Sequence, residues 1–525
     1  MNSRQKLGLI GLLWLDLSGS AFAQAAPRNL SERDVVAAAV AQNPTLHVAL
    51  LRASQDRYAL LAEQALYTPI FSASTGYTHT RTPSLYDVPA SAGLEARHET
   101  RVGSSDVFEL GAGLTKPFSF GTVVSASLLG QRSLRSSSLD SSMTGSARGP
   151  GYSLVGQLAV SQPLLRGAGQ DVGLASLRQA RLQLSATELN ARQVASTLLS
   201  QVIGAYWELW YAAEVVRINA ASQELARAQQ EQATQQVQSG ALAPASALPY
   251  ATQVAELEEA ALSARTEVRR RELLLAQLLG EAGDVGSGLL AGDSPELPSA
   301  DEPAVGSATS EALSSSYTRK QLQAQLALVR DQLKVSGDPL RPRLDLDAYV
   351  QAEGLGNRSV PPAFEQFGRM EAVSAHVGLT FETPLSDDRR SAQIQQAQLS
   401  AHVTEQQIRE HELAIRSSVA TAIAQRRAAR ERVELSTRTE TVARAQAEAE
   451  RARFQAGGSI ALAVQEAEDS LRQAQLRAQR ARVDLVLADL ALAELRGQLL
   501  SRYAGAIQQL SPRQRSTLTS THNSF

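Results

Sequence analysis

The chain has 525 residues, with 51 lysines and arginines against 53 aspartates and glutamates, and it has no cysteine. The formal net charge of −2 provides no overall field that would attract nucleic acid or an anionic membrane surface, so no nucleic-acid partner is expected. The absence of cysteine excludes disulfides, cysteine-ligated metal sites and thiol nucleophiles, and it suits a protein of an oxidising compartment.

The first residues have the pattern of a secretory signal peptide. Arg4 and Lys6 form a basic start, an apolar run follows over residues 7–15, and Ala21-Phe22-Ala23 is a small-x-small cleavage site. We therefore predict a signal peptide over residues 1–23; a buried N-terminal helix is the alternative. No later segment reaches the ~20 apolar residues that a membrane-spanning helix needs. The mature chain is expected in the periplasm or in a membrane as a β-barrel.

Paired sequence marks predict that one order of elements occurs twice. Pro163 and Pro384 each close a strand before a long helix, and Gly240 and Gly457 each break such a helix. Each half begins with a shorter opening helix. The predicted divisions are a first repeat over residues 24–280, a linker over 281–309, a second repeat over 310–500 and a flexible tail over 501–525.

Alternating apolar and polar residues predict β-strands of about ten residues, the length that a tilted strand needs to cross a bilayer. One face of such a strand meets lipid and the other meets water. One predicted hairpin, turning at residues 118–121, occurs in the first repeat only. Strands of this kind also occur in soluble β-sandwiches. The predicted strands are residues 69–80, 107–116, 121–130, 152–163, 343–352 and 373–383.

The other periodic segments predict very long helices. Residues 172–238 contain no proline, and their apolar residues recur at steps of three, four or seven, which is typical of a coiled coil. The aromatic group at Tyr206, Trp207, Trp210 and Tyr211 is expected to pack against neighbouring helices. A solvated coiled-coil rod is the alternative for the helices alone, but a rod has no use for bilayer-length strands. The other long helices are predicted over residues 245–280, 390–456 and 460–499.

Several motifs, taken in order, resemble the TolC-like outer membrane efflux proteins, and the likeness covers nearly the whole mature chain. The fold class that this resemblance implies is an α+β membrane protein with two structural repeats. Each repeat contributes transmembrane β-strands and very long coiled-coil-like helices to a trimeric β-barrel and an α-helical periplasmic tunnel. The motifs are residues 41–44, the strand-to-helix stretch 161–169, residues 205–209 and the breaks at Gly240 and Gly457.

The resemblance implies a passive exit duct in the outer membrane of a Gram-negative bacterium, with a large periplasmic part. Its partners would be outer membrane lipid, two further copies in a homotrimer, a periplasmic adaptor (membrane fusion) protein and an inner-membrane transporter, in a tripartite efflux pump or type I secretion system. Twelve strands per trimer are implied by the family, and the extra hairpin makes eighteen an alternative. No enzyme activity, cofactor or metal is expected. The alternative function is a periplasmic coiled-coil scaffold or adaptor with a β-domain.

The resemblance also implies the positions of a periplasmic gate and of the docking surfaces. With Gly457 on the second tip turn, Glu466 falls on one gate position and Ala463 on the other, usually acidic one. Asp469, one helical turn beyond Glu466, could take over part of the role; a solvated acid is the alternative for both. Three such carboxylates around an axis would attract cations. The tip turns for adaptor docking are Gly240, Leu242, Gly457, Gly458 and Ile460, and the strand-to-helix joints are Pro163, Gly167, Gly169 and Pro384.

Overall fold

The fold combines an antiparallel β-sheet with very long paired helices. Among the predicted residues, the signal peptide, Leu242 and Pro384 lie outside the part of the chain that the structure describes. Within that part, no helix is both long and apolar enough to cross a membrane. The computed structural model describes residues 28–88, 97–136, 150–240, 243–281, 288–299, 301–383, 388–507 and 517–518.

The chain begins with a short strand and two helices. The strand β1 (Arg28–Leu30) pairs in parallel with β6 (Leu289–Ala291), which comes from the predicted linker. The helix α1 (Glu32–Gln42) starts with a capping box made by Ser31 and Asp34. The helix α2 (Pro44–Ala65) starts with Asn43 as its cap and proline at its first position.

Six strands of the described residues form one sheet, in the order β2-β3-β4-β5-β7-β8 with antiparallel neighbours throughout. The hairpin β3–β4 lies between β2 and β5, so the predicted extra hairpin is part of this sheet. The last strand of the first half, β5, pairs directly with β7 of the second half. The strands are β2 (Ile70–Val88), β3 (Arg97–Pro117), β4 (Val123–Ser136), β5 (Gly151–Pro163), β7 (Arg343–Asn357) and β8 (Ala372–Glu382).

The strands β2 and β3 are longer than the sequence predicted, and β3 is about twice as long. They have 19 and 21 residues, and their register is unbroken from the pair Ile70–Thr115 to the pair Val88–Arg97. The sequence predicted a surface loop for the polar stretch from Thr82 to Ser105, and this prediction is wrong for the parts of it that β2 and β3 include. Backbone hydrogen bonds continue the ladder where the alternating side-chain pattern has ended.

The sheet has one apolar and one polar face. Leu158 lies opposite Val350 on the apolar face, whereas Gln157 lies opposite Gln351 on the polar face. The apolar face is largely exposed in the single chain, which marks it as a surface that meets an apolar neighbour. The near end of the sheet, at Ile70 and Glu382, adjoins the helices, and the far end lies at the opposite ends of the strands. Further exposed residues of the apolar face are Phe71, Leu110, Leu114, Leu128, Val377 and Leu379.

Two pairs of long helices extend from the sheet. The helices α4 and α9 have 64 and 68 residues, so each is ~100 Å long. Each packs along a return helix, and α7 contacts both α4 and α9. The helices are α3 (Gln170–Gly173), α4 (Ala175–Gln238), α5 (Pro244–Leu279), α6 (Val305–Ser315), α7 (Tyr317–Ser336), α8 (Pro361–Gly368), α9 (Asp388–Gln455) and α10 (Ala461–Leu495).

The linker and the tail are more structured than the sequence predicted. The predicted linker contains β6 and the start of α6. In the predicted flexible tail, α11 (Leu499–Arg502) leads into α12 (Ala504–Ile507). Further on, Leu518 is buried, and the Arg192 Nε donates a hydrogen bond to the Thr517 carbonyl at 2.9 Å. The tail is polar overall, but its few apolar residues are enough to join the core.

The main core surrounds the middle of α4. Tyr206 is fully buried there, and its hydroxyl lies 3.1 Å from both the Leu30 carbonyl and the Asp293 carboxylate. The Trp207 Nε1 donates to Glu32 at 3.1 Å. The predicted aromatic group therefore packs between helices, and its polar atoms hold α4 to β1, α1 and the linker. The rest of this core comes from α2, α5, α10 and α11.

Candidate functional site

Each long helix ends at a glycine in the left-handed conformation, which few residues with a Cβ adopt at low cost. Gly240 has a φ of 74° and Gly457 a φ of 77°. At the second turn, the Gly458 N–H donates to the Arg453 carbonyl at 2.8 Å, and the Gly457 N–H donates to Phe454 at 3.0 Å. These two bonds are the Schellman motif. The Gly240 N–H makes the bond to Val237 that corresponds to the one from Gly457.

Exposed apolar side chains surround these turns. Ile460, which caps the start of α10, is 67% exposed, and Leu462 and Leu248 are also exposed. Isolated exposed apolar residues are common on proteins, but a group of them at the end of a long polar rod is typical of a protein contact.

The two predicted gate acids lie one helical turn apart on α10 and have different surroundings. Asp469 accepts hydrogen bonds from Arg472, at 3.1 Å to the Nε, and from Gln473 at 2.6 Å. Glu466 is exposed and has no hydrogen bond or ion pair within the described ranges. The charge of Asp469 is therefore compensated within its own helix, whereas the charge of Glu466 is not. Ala463, at the other gate position of the family, is only half-buried.

Polar contacts connect α10 with α4 and α9 beside these acids. The Arg472 Nη1 donates to the Asn219 Oδ1 at 3.3 Å. The side chain of Glu468, only 8% exposed, accepts from Gln229 at 2.9 Å and from Arg451 at 2.8 Å. The sequence analysis missed these contacts. The spacing of Arg472 from Asp469 could have indicated their ion pair, but nothing in the sequence pattern points to Asn219 or Gln229.

A cavity of about 810 Å³ lies between the two helix pairs at this level. Its wall comes from α4, α5, α9 and α10 and includes both Glu466 and Asp469. Gln253 and Gln465 also line it, and each has a buried amide atom without a hydrogen-bond partner among the described residues. No group of three metal-ligating side chains comes together anywhere in those residues. The two helix pairs are therefore separated at the predicted gate by a polar space.

The predicted strand-to-helix joint of the first half is a cluster of close backbone contacts. After Pro163, the Gly167 N–H donates to Asp338 at 2.8 Å, and the Gly169 N–H donates to the Phe120 carbonyl at 3.2 Å. Gly167 and Gly169 are both left-handed, with φ values of 82° and 93°. A Cβ on Gly173 would lie only 2.0 Å from the Ser119 carbonyl oxygen. This glycine stretch thus accommodates the turn of the β3–β4 hairpin.

The comparison with known families concerns the second half of the chain. Residues 308–498 match the family model described as outer membrane efflux protein. Over these residues the chain is similar to the outer membrane efflux protein family. The resemblance predicted from the sequence motifs is therefore confirmed, together with the expected outer membrane location and transport role. No curated protein matches the sequence of this chain.

Solved structures show that the fold is known for nearly the whole chain, beyond the residues that the family model matches. The CmeC outer membrane channel of Campylobacter jejuni superposes with a TM-score of 0.65 at 12% identity, over 98% of each chain. The outer-membrane channel OprN gives 0.62 at 17% identity, over 89% of this chain and 90% of its own. The open state of the MtrE channel of Neisseria gonorrhoeae gives 0.59 at 14% identity, over 89% of both chains. At these identities the likeness concerns the fold.

Proposed function

We propose that three copies of this chain form the exit duct of a tripartite efflux or type I secretion system, which conducts substrates passively from the periplasm or an inner-membrane pump to the outside. The observation that carries the proposal is a two-faced sheet joined to long paired helices in one chain. Such a sheet suits a barrel wall, with lipid against its apolar face and water against its polar face. The alternative, a periplasmic scaffold with a β-domain, leaves the exposed apolar face without a partner.

The barrel would close between copies. Within the described residues, β2 and β8 each have one unpaired edge, and an unpaired edge is not tolerated in a bilayer. The strand β2 leaves the near end and β8 returns to it, so β8 of one copy can pair antiparallel with β2 of the next. Six strands per copy then make an eighteen-stranded barrel. With a strand spacing of ~4.8 Å and a tilt of ~40°, its backbone radius is roughly 18 Å, against roughly 12 Å for twelve strands.

The two halves, residues 24–280 and 310–500, would be structural repeats with the same order of elements. In each half a shorter helix, α2 or α7, precedes strands of the sheet, a long helix and a return helix. Each long helix ends at a left-handed glycine. The hairpin β3–β4 is the main addition of the first half. In the proposed trimer, the paired helices of three copies continue the barrel as a periplasmic tunnel.

The periplasmic tips would hold the gate and the docking surface. Glu466 is the stronger gate candidate because its charge is free, and three such carboxylates around the axis would favour cations. Asp469 has a smaller role in this proposal because Arg472 compensates its charge. The adaptor protein would dock on the tip turns at Gly240 and Gly457 and the exposed Ile460 beside them, with the inner-membrane transporter supplying the energy.

Single-channel recording of purified trimers in planar bilayers tests the duct and its gate. We expect cation-selective steps whose cation-to-anion permeability ratio falls in Glu466→Gln and changes less in Asp469→Asn. Glu258→Gln on α5 is the matched control, because Glu258 already pairs with Arg227 away from the cavity. An equal change in all three variants would contradict the gate assignment. A water-soluble protein that never inserts would contradict the duct itself.

Disulfide cross-linking tests the closure of the barrel. The chain has no cysteine, so introduced cysteines are unique. If the near ends of β8 and β2 align between copies, Ser72→Cys and Thr380→Cys in one chain should give a trimer that resists denaturing detergent and separates on reduction. Ser72→Cys alone is the control and should stay monomeric in the gel. Neighbouring pairs along the two strands cover other registers. If none of these pairs forms a cross-link, this closure of the barrel is contradicted.

A further inference from the structure

The short helix α8, between β7 and β8, lies on the apolar face at the far end of the sheet. A patch of glycines lets it approach closely. A Cβ on Gly354 would lie 1.9 Å from the Ala363 carbonyl oxygen, and one on Gly156 would lie 2.6 Å from the Phe367 ring. Both glycines belong to the apolar face, since they are in register with its other members. The helix is therefore seated on the wall of the sheet by its Ala363 and Phe367 side.

The helix also completes the hydrogen bonding of the sheet. The pairing of β7 with β8 ends at Glu353 and Ala372, because β8 is the shorter strand. Beyond this point the Leu355 N–H donates to the Gln366 side chain at 3.0 Å. An unpaired backbone group at the margin of a bilayer is costly. The Gln366 side chain of α8 thus accepts the hydrogen bond that a neighbouring strand would otherwise accept.

The apolar surface of α8 is wider than its contact with the sheet. Phe364 is 56% exposed, and Val360, four residues earlier, is also exposed. At ~100° per residue, both fall on the flank next to Ala363 and Phe367, and Glu365 points the other way. Met370, just after the helix, is exposed too. This uncovered flank continues the apolar face of the sheet.

We propose that α8 is an interfacial helix of the outer leaflet, which packs on the outside of the barrel wall and buries Phe364 among lipid chains. This inference rests on the proposed membrane barrel. Lipid is the occupant because α8 lies over β5 and β7, which are inner strands of the sheet, whereas further copies of the chain would meet at the edges β2 and β8. The far end is the outer end, since the periplasmic helices leave the near end. An apolar flank beside a charged residue suits the boundary of the bilayer.

Site-specific fluorescence quenching in liposomes tests this inference. Single cysteines replace Phe364, Glu365 or Leu158, and each carries a polarity-sensitive label in phosphatidylcholine vesicles with either aqueous iodide or a spin-labelled lipid as the quencher. Leu158 is an exposed member of the apolar face on β5 and reports on the barrel wall. We expect the labels at Leu158→Cys and Phe364→Cys to be quenched by lipid several-fold more than the label at Glu365→Cys, which iodide should reach. Trimer formation on a gel shows that each variant is folded.

The outcomes separate this inference from the proposed function. Lipid quenching at positions 158 and 364 but not at 365 supports both. Lipid quenching at 158, with 364 as accessible to iodide as 365, overturns the interfacial helix and leaves the duct standing. If lipid does not quench the label at position 158, the membrane barrel is overturned, and the inference on α8 fails with it.

Discussion

The two long helix pairs have the same layout, but different chemistry holds each in place. The middle of α4 lies in an apolar core, where Leu199, Ile203 and Tyr206 are almost completely buried. The middle of α9 has smaller apolar clusters and is attached by arginines. The Arg426 Nε donates to Asp489 at 2.8 Å, and its other nitrogens donate to linker carbonyls. Arg430 also binds linker carbonyls.

This difference indicates which pair depends on packing and which on a few polar bonds. Burial of apolar surface is non-directional and is spread over many residues of α4. The arginine bonds of α9 are directional, and each has a single set of partners. At the tips, the two pairs meet through polar contacts around a cavity. Substitutions in the core, in the linker attachment and at the tips should therefore have effects of decreasing size on stability.

The largest effect is expected for Tyr206→Ala in the core of the first pair. The substitution leaves a cavity and removes one of the two donors to Asp293, which keeps the Glu32 N–H, so we expect a loss of about 3–5 kcal/mol. Tyr206→Phe keeps the packing and loses only the hydroxyl bonds, at about 1–2 kcal/mol. Thermal unfolding followed by circular dichroism compares the two. Equal losses in both variants would mean that the hydroxyl, rather than the packing, dominates at this position.

The next effect is expected for Arg426→Met in the attachment of the second pair. The side chain is only 6% exposed, so the change removes the donor of Asp489 and of the Asp301 carbonyl, while the Ser299 carbonyl keeps its bond from Arg430. We expect a loss of about 2–3 kcal/mol, less than for a fully buried ion pair because Asp489 retains contact with water. Arg427→Met is the control, since Arg427 is 65% exposed where it pairs with Glu302, and its loss should leave the unfolding midpoint nearly unchanged. The same unfolding measurement applies, and indistinguishable midpoints would refute the importance of the linker attachment.

A smaller effect on stability is expected for Arg472→Gln at the tips, at most about 1 kcal/mol because Asp469 is half exposed. The substitution removes the contact between α10 and Asn219 and releases the charge of Asp469. We therefore expect higher conductance and stronger cation selectivity in planar bilayers. Arg477→Gln on the same helix is the control, as Arg477 has no ion pair within the described ranges. Unchanged conductance in Arg472→Gln would argue against a gate at this level.

The smallest effect concerns pH and the return helix α5. Hydrogen bonds from Arg270 and Arg271 lower the pKa of Glu267 from 4.5 to about 2. Because the pKa is lower in the folded chain, the stabilisation is fully present above pH 4.5 and is lost as the pH falls towards 2. Because these side chains are exposed, their interaction contributes about 0.5 kcal/mol to the free energy of unfolding. The difference in thermal midpoint between the wild type and Glu267→Gln should be constant from pH 6 to 7 and decrease as the pH falls through 2; an undiminished difference there would contradict this origin.

Much of the functional region could be predicted from the sequence, but its contacts could not. The breaks at Gly240 and Gly457 and the ordered motifs of the family depend on neighbouring residues, so the sequence pattern reveals them. The pairing of Arg472 with Asn219, or of Glu468 with Gln229, depends on the register between two helices far apart in the chain. The ion pair of Arg472 with Asp469 could be read from their spacing of three residues, but the free charge of Glu466 became visible only with side-chain positions.

The periodic features follow from the amino-acid sequence alone: strands with one apolar face, very long helices and an aromatic group that packs at mid-length. Hydrophobic periodicity follows the backbone geometry of each element, so it can be read locally. Three other features came from the folded chain: β2 and β3 extend beyond their apolar pattern, α8 lies on the glycines of the sheet, and Leu518 of the tail joins the core. Each of these depends on backbone or side-chain groups that are distant in sequence and meet only once the chain has folded.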